Sequence, residues 1–387
     1  MATDPRLDPL LIDGAHGEGG GQILRTALAL SAITGRSIRL ERIRANRRKP
    51  GLAAQHLTAV RAAAAICDAR VAGDALGSME LTFAPGQPVA AGGYTFDVDL
   101  ARKGGSAGAV MLILQTVLLP LALAAGDSVV ELHGGTHMAW SPPFDYVRDT
   151  WLPLLARLRI EASVELLAWG WFPVGKGLVR ARIRGRGGEA AVLEPLELHD
   201  RGPLLRIRGR TVAANLPSHI PQRMADRARS LLMPLGADVA IEREQVRAAC
   251  AGAGLFLTSE YANSNCGFCA IGEIGKPSEQ VAEEAAGELQ RHHASGAALD
   301  RHLGDQMLLP LCFARGPSRF SVQELTHHLH TNAWVIEEFG VASIALRRMP
   351  SGIGTVTVEP VAAARAHRGH GSAMPKGSAS QSPKHKT

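Results

Sequence analysis

Residues 22–35 (QILRTALALSAITG), 115–126 (QTVLLPLALAAG) and 306–316 (QMLLPLCFARG) share one design: a glutamine, an apolar helical run, and a closing glycine. A glycine just past such a run supplies the left-handed residue that ends a helix. A strand-like run follows each time, at residues 37–45 (SIRLERIRA), 127–135 (DSVVELHGG) and 318–325 (SRFSVQEL). A second amphipathic segment comes next, at 51–69, 142–158 and roughly 330–340. Alternating, β-prone stretches close each unit: 94–100 (YTFDVDL), 178–185 (LVRARIRG) and 354–361 (GTVTVEPV). Helix, strand, helix, strands, three times over, predicts an α+β protein built from three tandem repeats.

The glutamines also locate an interruption. Gln22 and Gln115 are 93 residues apart, Gln115 and Gln306 191, a surplus of 98 that amounts to one small domain. The character of the chain changes near Arg186, and a helical pattern resumes after Lys276-Pro277-Ser278, with Ser278 as a candidate N-cap. An inserted α/β domain is therefore expected at 186–278, leaving a discontinuous core at 1–185 and 279–361. Residues 362–387 are polar, basic and low in complexity, and read as a disordered tail.

Composition narrows the classes. Of 387 residues 46% are hydrophobic and 20% charged, too apolar for a disordered chain. The run at 109–125 (AVMLILQTVLLPLALAA) is shorter than the ~20 apolar residues of a membrane span and is broken by Gln115 and Pro120; a buried helix is expected. The amino terminus lacks the basic start and apolar stretch of a signal peptide, and five cysteines make no disulfide framework, so a cytoplasmic protein is expected. Cys266 and Cys269 form a CxxC without a second pair to complete a zinc site. The net charge of +6 is modest, but seven lysines among 42 basic residues leave almost all of it to arginine.

Four clusters carry chemistry. GAHGEGGGQILR (14–25) puts glycines between a strand and a helix, where backbone N–H groups can meet an anion, and sets Glu18 among them. A carboxylate there would repel a phosphate unless a metal ion lies between the two. ERIRANRRKPGLAAQH (41–56) gathers Arg42, Arg44, Arg47 and Arg48, whose forks suit phosphate. THHLHTN (326–332) holds His327, His328 and His330, one of them a candidate nucleophile toward phosphorus. In HLGDQ (302–306), Asp305 precedes the third glutamine as the glycine loop precedes the first. Glu18 and Asp305, at equivalent helix starts, would meet across a pseudo-threefold core and, with a histidine, hold a divalent metal beside a nucleotide phosphate.

Taken together, GEGGGQILR (17–25), IRANRRKPGLAAQHLTAV (43–60), GSAGAVMLILQTVLLP (105–120), GGT (134–136) with Pro142-Pro143, LGDQMLLP (303–310) and HLHTN (328–332) resemble the RNA 3′-terminal phosphate cyclase family. The resemblance implies three tandem units of two helices and a four-stranded sheet, with a smaller inserted domain. It also implies an ATP-dependent reaction: a histidine, His328 here, takes AMP from ATP, passes it to an RNA 3′-phosphate, and the neighbouring 2′-hydroxyl then closes a 2′,3′-cyclic phosphate and expels AMP. By the same resemblance Glu18, Asp305 and His328 would bind the metal, Mg²⁺ or Mn²⁺, with the imidazole making Mn²⁺ reasonable. ATP would be met by Gln115, His302, Leu303, Gly304, Asp305 and Gln306. The RNA phosphate would be met by Arg44, Arg47, Gln55 and His56. Two positions depart from the family pattern: His302 stands where a tyrosine is often found, and Ala139 where some relatives carry a proline, so adenine stacking should differ.

Lysine scarcity agrees with histidine chemistry, since no KxDG of lysine-adenylylating ligases occurs. A silent scaffold relative would lack the nucleophile, and an enolpyruvyl transferase of similar repeat fold would carry paired lysines. The expected partners are ATP and an RNA with a 3′-terminal phosphate, with no membrane.

Overall fold

The computed structural model of the protein describes residues 8–101, 106–187 and 192–361; the tail expected at 362–387 lies outside them. The first four-stranded sheet is built from β1 (Leu10–Asp13), β2 (Ile38–Glu41), β3 (Arg70–Ala72) and β4 (Leu81–Ala84), with α1 (Gly21–Thr34) and α2 (Ala54–Cys67) between its early strands. The second contains β5 (Gly93–Asp97), β6 (Ser128–Gly134), β7 (Ala162–Ala168) and β8 (Gly177–Ile183). Its helices are α3 (Val110–Leu123), then α4 (Phe144–Tyr146), which runs through a π-helical turn (Val147–Trp151) into α5 (Leu152–Arg157). The third begins with β9 (Glu197–Leu198). The chain then leaves it for β10 (Leu204–Ala214), α6 (His219–Leu232), β11 (Asp238–Val246), β12 (Gly252–Tyr261), β13 (Asn265–Ile271) and α7 (Ser278–Ser295). It returns with α8 (Leu303–Leu311), β14 (Ser318–Val322), α9 (His327–Phe339), β15 (Ala342–Arg348) and β16 (Gly354–Pro360).

Three sheets share one strand pattern: β1-β2-β4-β3, β5-β6-β8-β7 and β9-β14-β16-β15. In each, the first pair is parallel and the other two pairings are antiparallel. The residues 94–100, expected to close the first unit, instead open the second sheet, because β5 pairs in parallel with β6. Parallel neighbours need a crossover, and α3 supplies it. Helices α1, α2 and α3 pack on one another and α1 also on α9, which brings the glutamine-led helices to the centre with the sheets around them.

The helix ends follow local chemistry. Gly35 closes α1 in the left-handed region (φ 72°), its N–H donating to the Ser31 carbonyl at 2.9 Å. The Thr326 hydroxyl caps α9 by accepting from the Leu329 N–H at 3.1 Å. Gln115 and Gln306 lie inside their helices rather than opening them, since α3 starts at Val110 and α8 at Leu303.

The inserted elements have their own apolar core, with Ile207, Leu255 and Phe268 of the sheet under Met224 and Ala228 of α6. Helix α7 adds Val281, Ala285 and Leu289 to that same core. The sheet β11-β10-β12-β13 thus takes α7 as its second covering helix, beyond the boundary expected at Lys276-Pro277-Ser278. At the other edge, β9 pairs with β14, so residues 197–198 sit in the third sheet rather than in the insert.

Asp300 ties the insert to α8. Its buried carboxylate accepts from the Tyr146 hydroxyl at 2.9 Å, the Gly267 N–H of β13 at 3.2 Å, and the His302 and Leu303 N–H groups at 2.9 and 3.0 Å. Burial pushes this carboxyl above its ordinary range, with the amide and hydroxyl donors working against the shift. Asp300→Ala strands a buried hydroxyl and uncaps α8, so a loss of about 3 kcal/mol is expected in urea unfolding. A loss below about 1 kcal/mol would show that water replaces the carboxylate.

Candidate functional site

The first turn of α9 carries His328, and the glycine loop at 14–21 runs against the same helix. His328 Nε2 lies 2.7 Å from Glu18 Oε2, and its Nδ1 lies 3.6 Å from Asp305 Oδ2 on α8. The imidazole is about half exposed, whereas the Asp305 side chain is nearly covered. Its backbone is fixed too: Gln22 Nε2 donates to the His328 carbonyl at 2.9 Å. Nearby, Thr26 Oγ1 donates to Asn332 Oδ1 at 2.8 Å, joining α1 to α9.

The loop approaches this closely because it is glycine. Gly17 has φ 55°, and a Cβ there would lie 2.7 Å from Thr331 Oγ1. At the end of the loop, a Cβ on Gly21 would lie 2.2 Å from His56 Nε2. The two helix starts expected to meet therefore do meet, with His328 between their carboxylates.

An open cleft lies beside these groups. Gln22, Arg25, Gln115, Asp305, Gln306 and Asn332 form its polar wall, over apolar Leu118, Leu119, Trp151 and Ile336. The glutamines of the second and third units touch there, Gln115 Nε2 donating to Gln306 Oε1 at 2.8 Å. Of the residues expected at ATP, Gln115, Asp305 and Gln306 line the cleft. Leu303 and Gly304 are buried in the core instead, a Cβ on Gly304 meeting Val322 at 3.1 Å. His302 is exposed and faces a separate small cavity with Arg301 and Gln323.

Arg25 was not singled out from sequence, although a cation three residues after Gln22 in an apolar helix was a usable signal. It makes no hydrogen bond or ion pair with the described residues. Burial pushes its guanidinium down to about 10, with Asp305 pulling it back up. It stays charged at neutral pH, a cation in the cleft that feels Asp305 but makes no hydrogen bond with any described residue.

The arginine loop lies on the other side of Glu18. Arg47 Nη2 is 3.7 Å from Glu18 Oε2 and packs on Gly20. Arg44, at φ 54°, donates to the Gly51 carbonyl at 2.7 Å. Gln55 accepts from the Ala109 N–H at 3.0 Å, which orients its amide. His56 Nδ1 accepts from the Ala53 N–H at 3.1 Å, closing the first turn of α2. Burial, reinforced by Arg44 and Arg25, lowers the His56 pKa to about 3, so the ring is neutral at physiological pH.

That neutrality has a stability consequence. An unfolded histidine takes up a proton near pH 6.5, whereas folded His56, and likewise buried His292, also lowered to about 3, does so only near pH 3. Stability is therefore complete above pH 6.5 and falls as pH drops toward 3, by up to about 2 kcal/mol per ring at pH 5. Urea midpoints at pH 7 and pH 5 should show that decline, and His56→Gln, whose amide can replace the cap, should reduce it. Equal slopes for both proteins would contradict a neutral His56.

The expected metal ligands stand together, with the His328 ring facing both carboxylates. Among the described residues no group of three or more His, Cys, Asp or Glu side chains is spaced as a ready metal cage. Glu18 Oε2 is buried 2.7 Å from His328 Nε2 and 3.7 Å from Arg47 Nη2, a carboxylate oxygen of the kind a divalent cation takes. The cysteines offer no alternative: all five are free, and burial pushes the Cys269 thiol up to about 12 and that of Cys266 well above its ordinary value.

The chain is similar to known proteins over most of its length. The family profile described as RNA 3′-terminal phosphate cyclase matches residues 16–346. A protein of that name from Methylococcus capsulatus is 58% identical over 360 residues, covering 92% of this chain and 99% of its own. Those from Trichormus variabilis and Archaeoglobus fulgidus are 52% and 43% identical, covering 87% and 85% of this chain and 96% and 94% of their own. With nearly the whole chain matched, and residues 16–21 of the glycine loop, α8 and α9 inside the match, the protein belongs to the RNA 3′-terminal phosphate cyclase family.

Proposed function

We propose that this enzyme converts an RNA 3′-terminal phosphate to a 2′,3′-cyclic phosphate at the expense of ATP, through AMP carried on His328. The observation that carries this is the half-exposed imidazole between two carboxylates, one of which, Asp305, lines the cleft. One ring nitrogen faces Glu18 and the other Asp305, which orients the imidazole so that one nitrogen can present its lone pair. That nitrogen attacks the α-phosphorus of ATP; an N–P bond forms, the α–β anhydride breaks and pyrophosphate departs. Arg25, which makes no hydrogen bond with any described residue, offsets the charge of the phosphates as they rearrange.

Next, an oxygen of the RNA 3′-phosphate attacks the AMP phosphorus, freeing the imidazole and leaving an RNA-(3′)pp(5′)A end. Arg44, Arg47, Gln55 and the neutral His56 form the wall that orients this phosphate. The 2′-hydroxyl then attacks the 3′-phosphorus, AMP leaves, and the cyclic phosphate results. Activation is needed because a phosphate monoester dianion is a poor electrophile until one of its oxygens belongs to a leaving group.

Glu18 and Asp305 are the residues that would hold a divalent cation, Mg²⁺ or Mn²⁺, which when bound neutralises phosphate charge. A ring nitrogen that ligates the metal cannot also attack, so His328 serves the metal through one nitrogen at most. Gln115 and Gln306 fit the nucleotide, whereas His302 faces a separate cavity and is not part of the cleft wall. The three like-patterned sheets fit copies of one unit, interrupted between β9 and α8 by an insert covered by α6 and α7. We place the protein in the cytoplasm on the strength of its free cysteines and substrates; no helix among the described residues is long and apolar enough to cross a membrane. The test is incubation with [α-³²P]ATP and metal, which should give acid-labile, alkali-stable label on the protein, as a phosphoramidate requires. Absence of such label would refute the histidine route.

A further inference from the structure

Three residues of α9, spaced by three, meet three consecutive residues of the glycine loop in reverse order. His328 faces Glu18, Thr331 fills the space beside Gly17, and Trp334 stacks on His16. The His16 and Trp334 rings are 3.8 Å apart and within 9° of parallel. Trp334 is half-buried and packs against the core, so its position is set from below. His16 is exposed, and with one face on Trp334 its other face is left to solvent. Its backbone is held as well: its N–H donates to the Asp13 carbonyl at 3.2 Å and its carbonyl accepts from the Gly19 N–H at 2.9 Å.

A planar ring, backed by an indole and fixed in a tight loop, contributes nothing to the core from its exposed face. Its place relative to the chemistry is close. Two residues along the chain from Glu18 limit the separation of their Cα atoms to about 7 Å. Ala15, next to His16, accepts from Asn46 Nδ2 at 2.9 Å, which puts the ring beside the arginine loop. A terminal phosphate between Arg47 and His328 would have its own nucleoside within reach of this surface.

We propose that the exposed face of His16, supported by Trp334, is a stacking platform for the 3′-terminal base of the RNA. The proposal rests on the RNA 3′-phosphate reading of the site and adds a binding subsite to it. Stacking on an aromatic face accepts any base, because every base has a π-face, so the platform would secure the terminal nucleoside without selecting its sequence. It would also hold the terminal ribose still while its 2′-hydroxyl approaches the activated phosphorus.

The test is equilibrium binding by the full chain of short RNAs carrying a 3′-phosphate, their last nucleotide either natural or abasic. His16→Ala should weaken binding of natural ends about tenfold, with all four bases affected alike. His16→Phe should retain most of the affinity, because it keeps a flat ring on Trp334. RNA with an abasic end should bind the wild type and His16→Ala equally. Unchanged affinity of His16→Ala for natural ends would overturn the proposal, as would an equal loss on natural and abasic ends. Because binding is read without turnover, failure of the wild type to take label from ATP would count against the His328 mechanism alone and leave the comparison of ends decisive.

Discussion

His328→Ala should take no label from ATP, and formation of cyclic phosphate should fall roughly 10³-fold or more, because a covalent route has no second nucleophile to fall back on. The neighbouring histidines do not substitute for it: neither His327 nor His330 is paired with Glu18 or Asp305. The variant should fold normally. The side chain is half exposed at the start of α9, the Gln22 contact is made to the backbone carbonyl, and the cap belongs to Thr326. A thermal midpoint within a degree or two of wild type, together with lost labelling, is the expected pair of results. Retained labelling would move the nucleophile elsewhere.

Arg25→Ala should have the next largest effect, a loss of labelling of about 10²–10³-fold, the scale of removing one preorganised charge-stabilising donor. The prediction for stability runs the other way. Arg25 makes no bond with the described residues and burial disfavours its charge, so its removal should leave the protein as stable as before or more so. Arg25→Lys keeps the charge but not the planar fork, and intermediate labelling is expected. Labelling at the wild-type rate in Arg25→Ala would mean that the cation serves neither ATP nor its metal.

Local chemistry made the helices legible and non-local pairing hid the rest. The run from Gln22 to Gly35 reads as a helix because a polar start and a glycine stop bracket an apolar stretch. The start of α3 was not legible: residues 110–114 are as apolar as those after Gln115, so no periodicity marks where the helix begins. The sheet to which 94–100 belongs is decided by a partner reached only across α3, which no local pattern reveals. Helix α7 is amphipathic whichever sheet it covers, so its packing on the insert likewise needed the tertiary structure.

At the site, Glu18 and Asp305 were picked out by motif and repeat equivalence and His328 only by the family resemblance, and the structure brings the three within contact distance. Leu303 and Gly304 entered as part of a contiguous motif, and packing against β14 explains their burial. Arg25 was hidden by its apolar neighbours, and the His16–Trp334 stack by the 318 residues that separate its two rings in sequence.

The measurement that goes most directly to the central claim is a chase. Wild-type protein labelled with [α-³²P]ATP and freed of nucleotide would be mixed with RNA ending in a 3′-phosphate. The label should leave the protein, pass through RNA-(3′)pp(5′)A and emerge as AMP while the RNA end becomes a 2′,3′-cyclic phosphate. Label that stays on the protein while cyclic phosphate forms would contradict the account.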